Sequence, residues 1–330
     1  MRWSREAENK GVASSGLWVL GWLIVCLVTL GCGVGGLDSP TIVKTPRILA
    51  IIAEPPESFP GSEIRVGVLA HSPDDPEGEN LRYRWRLCVS LRRVLSITGI
   101  PGDGAGADRC EELPATGPVA VIPGEATREL VRTIENLPQT GRLDPRFLLA
   151  VLATAGLPFE VEVDVLDAGG KILVRGTKIV AITTRVPPLP PPTTNPPPIV
   201  YKFGDGVEGA EVDVDVVMPP DPFDFRCLLP NGPGRFPQDT QVTIQPISGA
   251  DWTESYPIWD YSGQVQLGRE NEYYSFYVTH GGLGKETTRP PEREVVWRTP
   301  KEARTVRLWL VVRDGHLGSR ACRVDVQVGE

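Results

Sequence analysis

The chain has 330 residues and a formal net charge of −8, which removes the electrostatic basis for binding nucleic acid or an anionic lipid surface. Its 33 Pro and 35 Gly against two Met suit a turn-rich β protein and argue against a helical bundle. The length allows about two domains beyond an N-terminal signal.

The first element is apolar. Arg2, Arg5 and Lys10 precede an uncharged stretch, 11–37, whose centre is dominated by Leu, Val, Ile and Trp. A short apolar run behind a basic start reads as a secretory signal. It ends in Thr29-Leu30-Gly31-Cys32, which resembles the lipobox of bacterial lipoproteins, a resemblance confined to this segment. Gly31 and Cys32 match the pattern, Leu30 fits it, and Thr29 stands where Leu is usual. The resemblance implies that residues 1–31 are a lipoprotein signal peptide and that the Cys32 thiol receives a diacylglycerol. Gly33, in place of the Asp that favours inner-membrane retention, implies the outer membrane. Residues 32–45, with Gly33, Gly35 and Gly36, read as a flexible tether. The alternatives are simple secretion and an uncleaved inner-membrane signal anchor, since an uncharged stretch of this length spans a bilayer. All three export the rest of the chain.

An apolar run over 47–53, period-two runs over 62–70, 81–88 and 159–166, and a segment entered by a turn over 171–182 then mark strands. In the third, Leu81, Tyr83, Trp85 and Leu87 alternate with Arg82, Arg84 and Arg86; in the fourth, Val161, Val163 and Val165 alternate with Glu160, Glu162 and Asp164. Such strands hide one row and solvate the other. Residues 144–156 interrupt them with an N-cap Asp144, Pro145 at the first helical position and a terminal Gly156, which predicts a short helix. A second helix is expected over 126–137, and a Gly-rich loop over 97–110.

Residues 187–198 contain eight Pro in twelve positions. This composition predicts an extended polyproline II spacer that separates domain 46–185 from domain 200–330 across linker 186–199. Strands recur over 211–217, 241–246, 272–279, 304–313 and 320–328. Tyr201 to Gly206 is similar to the signature of PKD modules, but it falls too early in its domain and reads as a turn.

Four cysteines follow Cys32: Cys88, Cys110, Cys227 and Cys322. In an oxidising compartment they read as two disulfides. Three connectivities exist, and the intervening Pro-rich segment favours Cys88–Cys110 and Cys227–Cys322. No C-x-x-C pair is present and the histidines are three, His71, His280 and His316, so no metal site and no cofactor is expected. All three histidines read as surface loop residues.

Both halves place an aromatic strand centrally and end in a hairpin. That pattern resembles immunoglobulin-like sandwiches, including PKD and cadherin-like modules. The resemblance implies an all-β chain of two such domains, the first with a helical insertion. It places Trp85 between the sheets of the first, with Phe276 as its nearest equivalent in the second. On residues 47–56 and 83–88, the whole chain is similar to bacterial surface lipoproteins of unassigned function.

Catalysis finds no support: there is no G-x-S-x-G elbow, and no catalytic residue is expected. The acidic run Asp74, Asp75, Glu77 and Glu79 reads as a solvated turn, with calcium as the alternative. Trp252, Tyr256, Trp259 and Tyr261 form the best candidate ligand-binding cluster, because exposed aromatics stack on sugar rings or anchor protein partners. The expected role is therefore structural, adhesive or binding. Its expected partners are membrane lipid through Cys32 and an envelope protein or glycan, with no nucleic acid. A glycan-directed envelope hydrolase with an unrecognised carboxylate pair is the alternative.

Overall fold

Strands rich in Val, Ile and aromatic residues dominate because their stiff or flat side chains pack well on a pleated surface. A computed structural model of the chain describes residues 40–89, 109–135, 145–205, 214–248, 252–259 and 264–329. The lipobox with Cys32 and residue Tyr261 lie outside the described residues.

The first half contains β1 (Arg47–Glu54), β2 (Glu57–Ser58), β3 (Ile64–His71), β4 (Arg82–Val89), β5 (Arg109–Leu113) and β6 (Val119–Ile122). Helices α1 (Gly124–Glu135) and α2 (Pro145–Leu152) follow, then β7 (Leu157–Leu166) and β8 (Ile172–Ile182). The second half contains β9 (Val200–Asp205), β10 (Val214–Val217), β11 (Arg235–Phe236), β12 (Gln241–Ile247), β13 (Ser255–Trp259) and β14 (Val265–Arg269). It closes with β15 (Tyr273–Val278), β16 (Gly282–Leu283), β17 (Thr287–Thr288), β18 (Val295–Arg298), β19 (Arg304–Arg313) and β20 (Ser319–Val328).

Each half is an immunoglobulin-like β-sandwich, and the five-stranded sheet of the first has the strand order of one sheet of the second. The first pairs sheet β2-β8-β7-β4-β5 with sheet β1-β3-β6; the second pairs β11-β20-β19-β15-β17 with β10-β9-β12-β18-β16. In both, a two-residue strand joins the last strand in parallel, β2 on β8 and β11 on β20. Strand β4 therefore corresponds to β15. Trp85 on β4 is fully buried in the first core, and its Nε1 donates to the Gly117 carbonyl at 2.9 Å. Phe276 on β15 is buried in the second core, edge-on to Tyr201 at 6.2 Å. On the outer face of the first sandwich the two charged rows meet in register: Arg84 faces Asp164 at 2.6 Å and Arg86 faces Glu162 at 2.8 Å.

Both disulfides form, Cys88 with Cys110 across β4 and β5, and Cys227 with Cys322. Two local expectations are overturned. Residues 201–205 are not a turn but most of β9, with Tyr201 and Phe203 fully buried. The loop expected over 97–110 gives way to the strand Arg109–Leu113 at its last two positions, and residues 97–108 lie outside the described residues. The acidic turn is solvated as expected, with Asp74, Glu77 and Glu79 exposed, and Glu77 also pairs with Arg307 at 2.6 Å and Arg323 at 3.3 Å in the second half.

The Pro-rich segment does not space the halves apart. Pro40–Glu330 is a single compact unit, with a third apolar core between the sandwiches. Leu49, Ala50, Ile52 and Leu69 meet Tyr277, Trp309, Val311 and Ala321 there. A register shift between Ile48 and Ala50 accompanies the consecutive burial of Leu49 and Ala50 at this core. Gly67 is required on β3, because a Cβ would lie 2.5 Å from the Phe223 ring. The polyproline segment is stitched along the same seam by its three residues that keep a polar side chain. The Thr193 amide donates to Glu57 Oε2 at 2.8 Å and the Thr194 amide to Glu254 Oε2 at 2.7 Å. Asn195 Nδ2 donates to the Ala53 carbonyl at 2.6 Å while its Oδ1 accepts from the Ser319 amide at 2.8 Å. Residues 41–43, at the end of the expected tether, are also held: the Val43 amide donates to the Val278 carbonyl at 2.9 Å.

Candidate functional site

The seam leaves a cleft of about 710 Å³ between β1, β8 and the β19–β20 turn, with Tyr273 at its wall. Four cations border it: Arg47 at the start of β1, Arg175 and Lys178 on β8, and Arg313 at the end of β19. Arg175 pairs with Asp164, Nε to Oδ1 at 2.5 Å, a carboxylate it shares with Arg84 and Arg86. The other three donate only to neutral oxygens. Arg47 bonds the Pro40 carbonyl, and Lys178 Nζ bonds the Leu317 carbonyl and Ser319 Oγ. Arg313 donates to Ser275 Oγ at 3.0 Å and to the Leu49 carbonyl at 3.1 Å, with its guanidinium 5.8 Å from the Tyr273 ring centre. Burial pulls Lys178 down to about 8, Asp314 nearby opposing the shift.

Asp314 is the one carboxylate among the residues bordering the cleft, and it is fully buried. Its Oδ1 accepts the His316 amide at 2.8 Å, which closes the β19–β20 turn. Gly318 is fixed there, because a Cβ would lie 1.9 Å from Asp314 Oδ2. Beneath the Pro-rich segment lie Glu57 and Glu270, both buried. Desolvation pushes Asp314 up to about 6, Glu270 up to about 8 and Glu57 upward. Glu270 Oε2 accepts the Glu254 amide at 2.9 Å. These carboxyls hold backbone, and of the three only Asp314 borders the cleft.

A pH dependence follows. A carboxyl whose folded pKa is raised contributes stability that is complete below its ordinary value and lost as pH rises through the folded value. Asp314 loses its share through about 6 and Glu270 through about 8. His71 and His316, pulled down to about 4 by burial, act oppositely: their share is complete above 6.5 and lost as pH falls through 4. The two sets offset each other below pH 6.5, and Glu270 dominates above it. Stability is expected to fall by about 1–2 kcal/mol between roughly pH 6.5 and 8.5. Thermal denaturation of Glu270→Gln across that range is expected to lose the fall and to rise slightly towards pH 8.5, where Lys178, pulled down to about 8, sheds its buried charge.

The predicted aromatic cluster is divided. Trp252 is half-buried against the second core. Tyr256 on β13 stacks on the His316 imidazole with ring centres 3.7 Å apart, backed by Gly268, where a Cβ would sit 3.1 Å from its ring. Trp259 pairs with Val265 at the far end of the β13–β14 hairpin, and its side chain, like Tyr261, lies outside the described residues. The histidine expectation fails at His71, which is buried at the seam with its ring 4.7 Å from Trp309. His316 is half-buried rather than a free loop residue, while His280 is exposed as expected.

The hairpin β13–β14 is a sheet of its own. Ile258, Val265 and Leu267 on it are 40%, 37% and 64% exposed. In the acidic turn, Asp75 Oδ2 accepts the Asn80 amide at 2.7 Å. Cys88, Cys110 and Glu162 are the one metal-like cluster among the described residues, but the disulfide leaves no thiolate to ligate an ion. Sequence reasoning missed Arg47, Lys178, Arg313 and Asp314, since they come from separate strands with no local motif.

No helix among the described residues is long and apolar enough to cross a membrane. No family model and no curated protein matches the chain. Among solved structures it is similar to the D0–D1 domain of intimin, at 9% identity over 86% of this chain and 99% of that one, with a TM-score of 0.18. Fibronectin(III)-like modules of Clostridium thermocellum CbhA match at 9% identity over 86% and 93%, with a TM-score of 0.20. The Ig1–2 module of the Drosophila receptor tyrosine phosphatase DLAR matches at 9% over 87% and 100%, with a TM-score of 0.22.

Proposed function

We propose that this chain is an exported envelope protein, anchored by a lipid on Cys32, that binds a protein or glycan partner without catalysing a reaction on it. The observation that carries the binding role is the β13–β14 hairpin. It presents Ile258, Val265 and Leu267 to solvent and pairs with no third strand among the described residues. Apolar side chains held on a rigid frame are what a partner surface covers. The hydrolase alternative needs two carboxyls in one pocket, one of them with a raised pKa; the cleft has Asp314 alone, and in a second cavity of about 600 Å³ that holds Glu292 and Glu294, Lys285 pairs with Glu292 and lowers its pKa.

The anchor is tested by the intact mass of membrane-extracted protein, native and Cys32→Ser. The expected native mass is residues 32–330 plus lipid, lost in the variant. An unprocessed mass in both overturns the anchor. The hairpin is tested by sedimenting the purified chain with isolated cell envelopes. Ile258→Asp with Leu267→Asp is expected to weaken binding about tenfold, because two hot-spot side chains are lost. Unchanged binding at unchanged melting temperature assigns the contact elsewhere.

A further inference from the structure

We propose that the cleft between the two sandwiches binds an acidic oligosaccharide, through Arg47, Lys178 and Arg313 as cation contacts and Tyr273 as a ring wall. The inference stands apart from the hairpin. It begins from charge: the chain carries a net −8, yet three cations converge here; buried Asp314 acts on Lys178 across the cleft without bonding it, and Arg47 and Arg313 bond only neutral oxygens. A half-buried cation without a counter-charge is costly unless something compensates it. An ammonium carries three donors and a guanidinium five. The bonds described use two on Lys178, one on Arg47 and two on Arg313, so each keeps donors for an incoming oxygen.

Size separates the ligand classes. A cleft of about 710 Å³ lies in the range of small-molecule sites, about 300–1,000 Å³, and greatly exceeds a lone phosphate. An acidic peptide adding along β1 is disfavoured, because the Leu49 and Ile51 carbonyls already accept bonds from Arg313 and Ser319. A saccharide needs no strand edge. Its ring stacks on an aromatic face, and its hydroxyls suit the Thr45 and Thr177 side chains at the rim. The acidic group is a carboxylate or a phosphate ester, both recognised by the same donors.

The test is calorimetric titration of the full-length, detergent-extracted chain at low ionic strength. The probes are trigalacturonate, a phosphorylated maltotriose, neutral maltotriose and inorganic phosphate. At least one acidic trisaccharide is expected to bind, with a Kd below about 1 mM, and to weaken as salt is raised. Which of the two binds identifies the acidic group. Maltotriose and phosphate are expected to bind at least about tenfold more weakly. Arg47→Gln is expected to weaken binding about fivefold without moving the melting temperature. Lys171→Gln, on an exposed turn, is expected to change nothing. No heat with either acidic sugar, equal binding of inorganic phosphate, or native affinity in Arg47→Gln each overturns the proposal.

Discussion

Trp309→Ala is expected to destabilise the protein by about 3–5 kcal/mol and to split one unfolding transition into two. Trp309 is 1% exposed on β19 and belongs to the core between the sandwiches, not to either sandwich's own core. Its neighbours on β19, Leu308 and Leu310, point the other way into the second core. Truncation therefore leaves both sandwich cores intact and opens a cavity against His71, Leu69 and Ala321. Two domains joined by a large apolar contact melt together, whereas a small polar contact lets them move and melt independently. Calorimetry is expected to show a single native transition. The variant is expected to show two, each with the enthalpy of a domain of its size. A single transition with a loss below about 1 kcal/mol, the size of a surface substitution, would instead mean that the stitched Pro-rich segment, not the apolar core, couples the halves.

The same contact shows how far the sequence could be read. Strands with one wet face, such as β4 and β7, announce themselves by alternation, and their charged rows meet across the pair. Strands β1 and β19 do not alternate: RILAIIAE and RTVRLWLVVR are nearly continuous apolar runs. Continuous runs belong to strands covered on both faces. The seam was therefore written in these two segments as a departure from period two. What the runs leave open is which second face covers each, because pairing between outer faces depends on distant residues. The Pro-rich segment misled for a related reason. Its prolines do argue for extended backbone, but extension does not mean separation. Thr193, Thr194 and Asn195 supply the donors that proline lacks, and Glu57, Glu254 and Ala53 accept from them. Residues 201–205 carry the alternation of a strand in Tyr201 and Phe203, which the turn-forming Gly-Asp-Gly after them obscured. The cleft was illegible altogether, since Arg47, Lys178 and Arg313 converge only once the two sandwiches dock.

Arg185→Met is expected to cost about 3–5 kcal/mol, because it leaves a buried carboxylate without its partner. Arg185 and Glu57 form an ion pair with side chains 1% and 0% exposed. Glu57 Oε2 also accepts the Thr193 amide, and Arg185 Nη2 reaches the Pro191 carbonyl at 3.3 Å. The pair therefore sets where the Pro-rich segment crosses the seam. Its geometry is incomplete: Arg185 Nε and Nη1 and Glu57 Oε1 are buried without partners. Desolvation already outweighs the attraction at Glu57, whose pKa is raised beside a cation. Such a pair contributes little net stability, yet losing one member is costly. Adding Glu57→Gln to Arg185→Met is thus expected to recover more than half of the loss, since the amide oxygen still accepts from Thr193 and carries no charge. Chemical denaturation of the four members of this cycle gives the coupling. Amide exchange at Thr193 and Thr194 provides the local readout: faster in the single variant, and restored in the double. If the double variant is no more stable than Arg185→Met, the buried pair holds the seam by attraction after all, and the role of Arg185 is energetic rather than one of register.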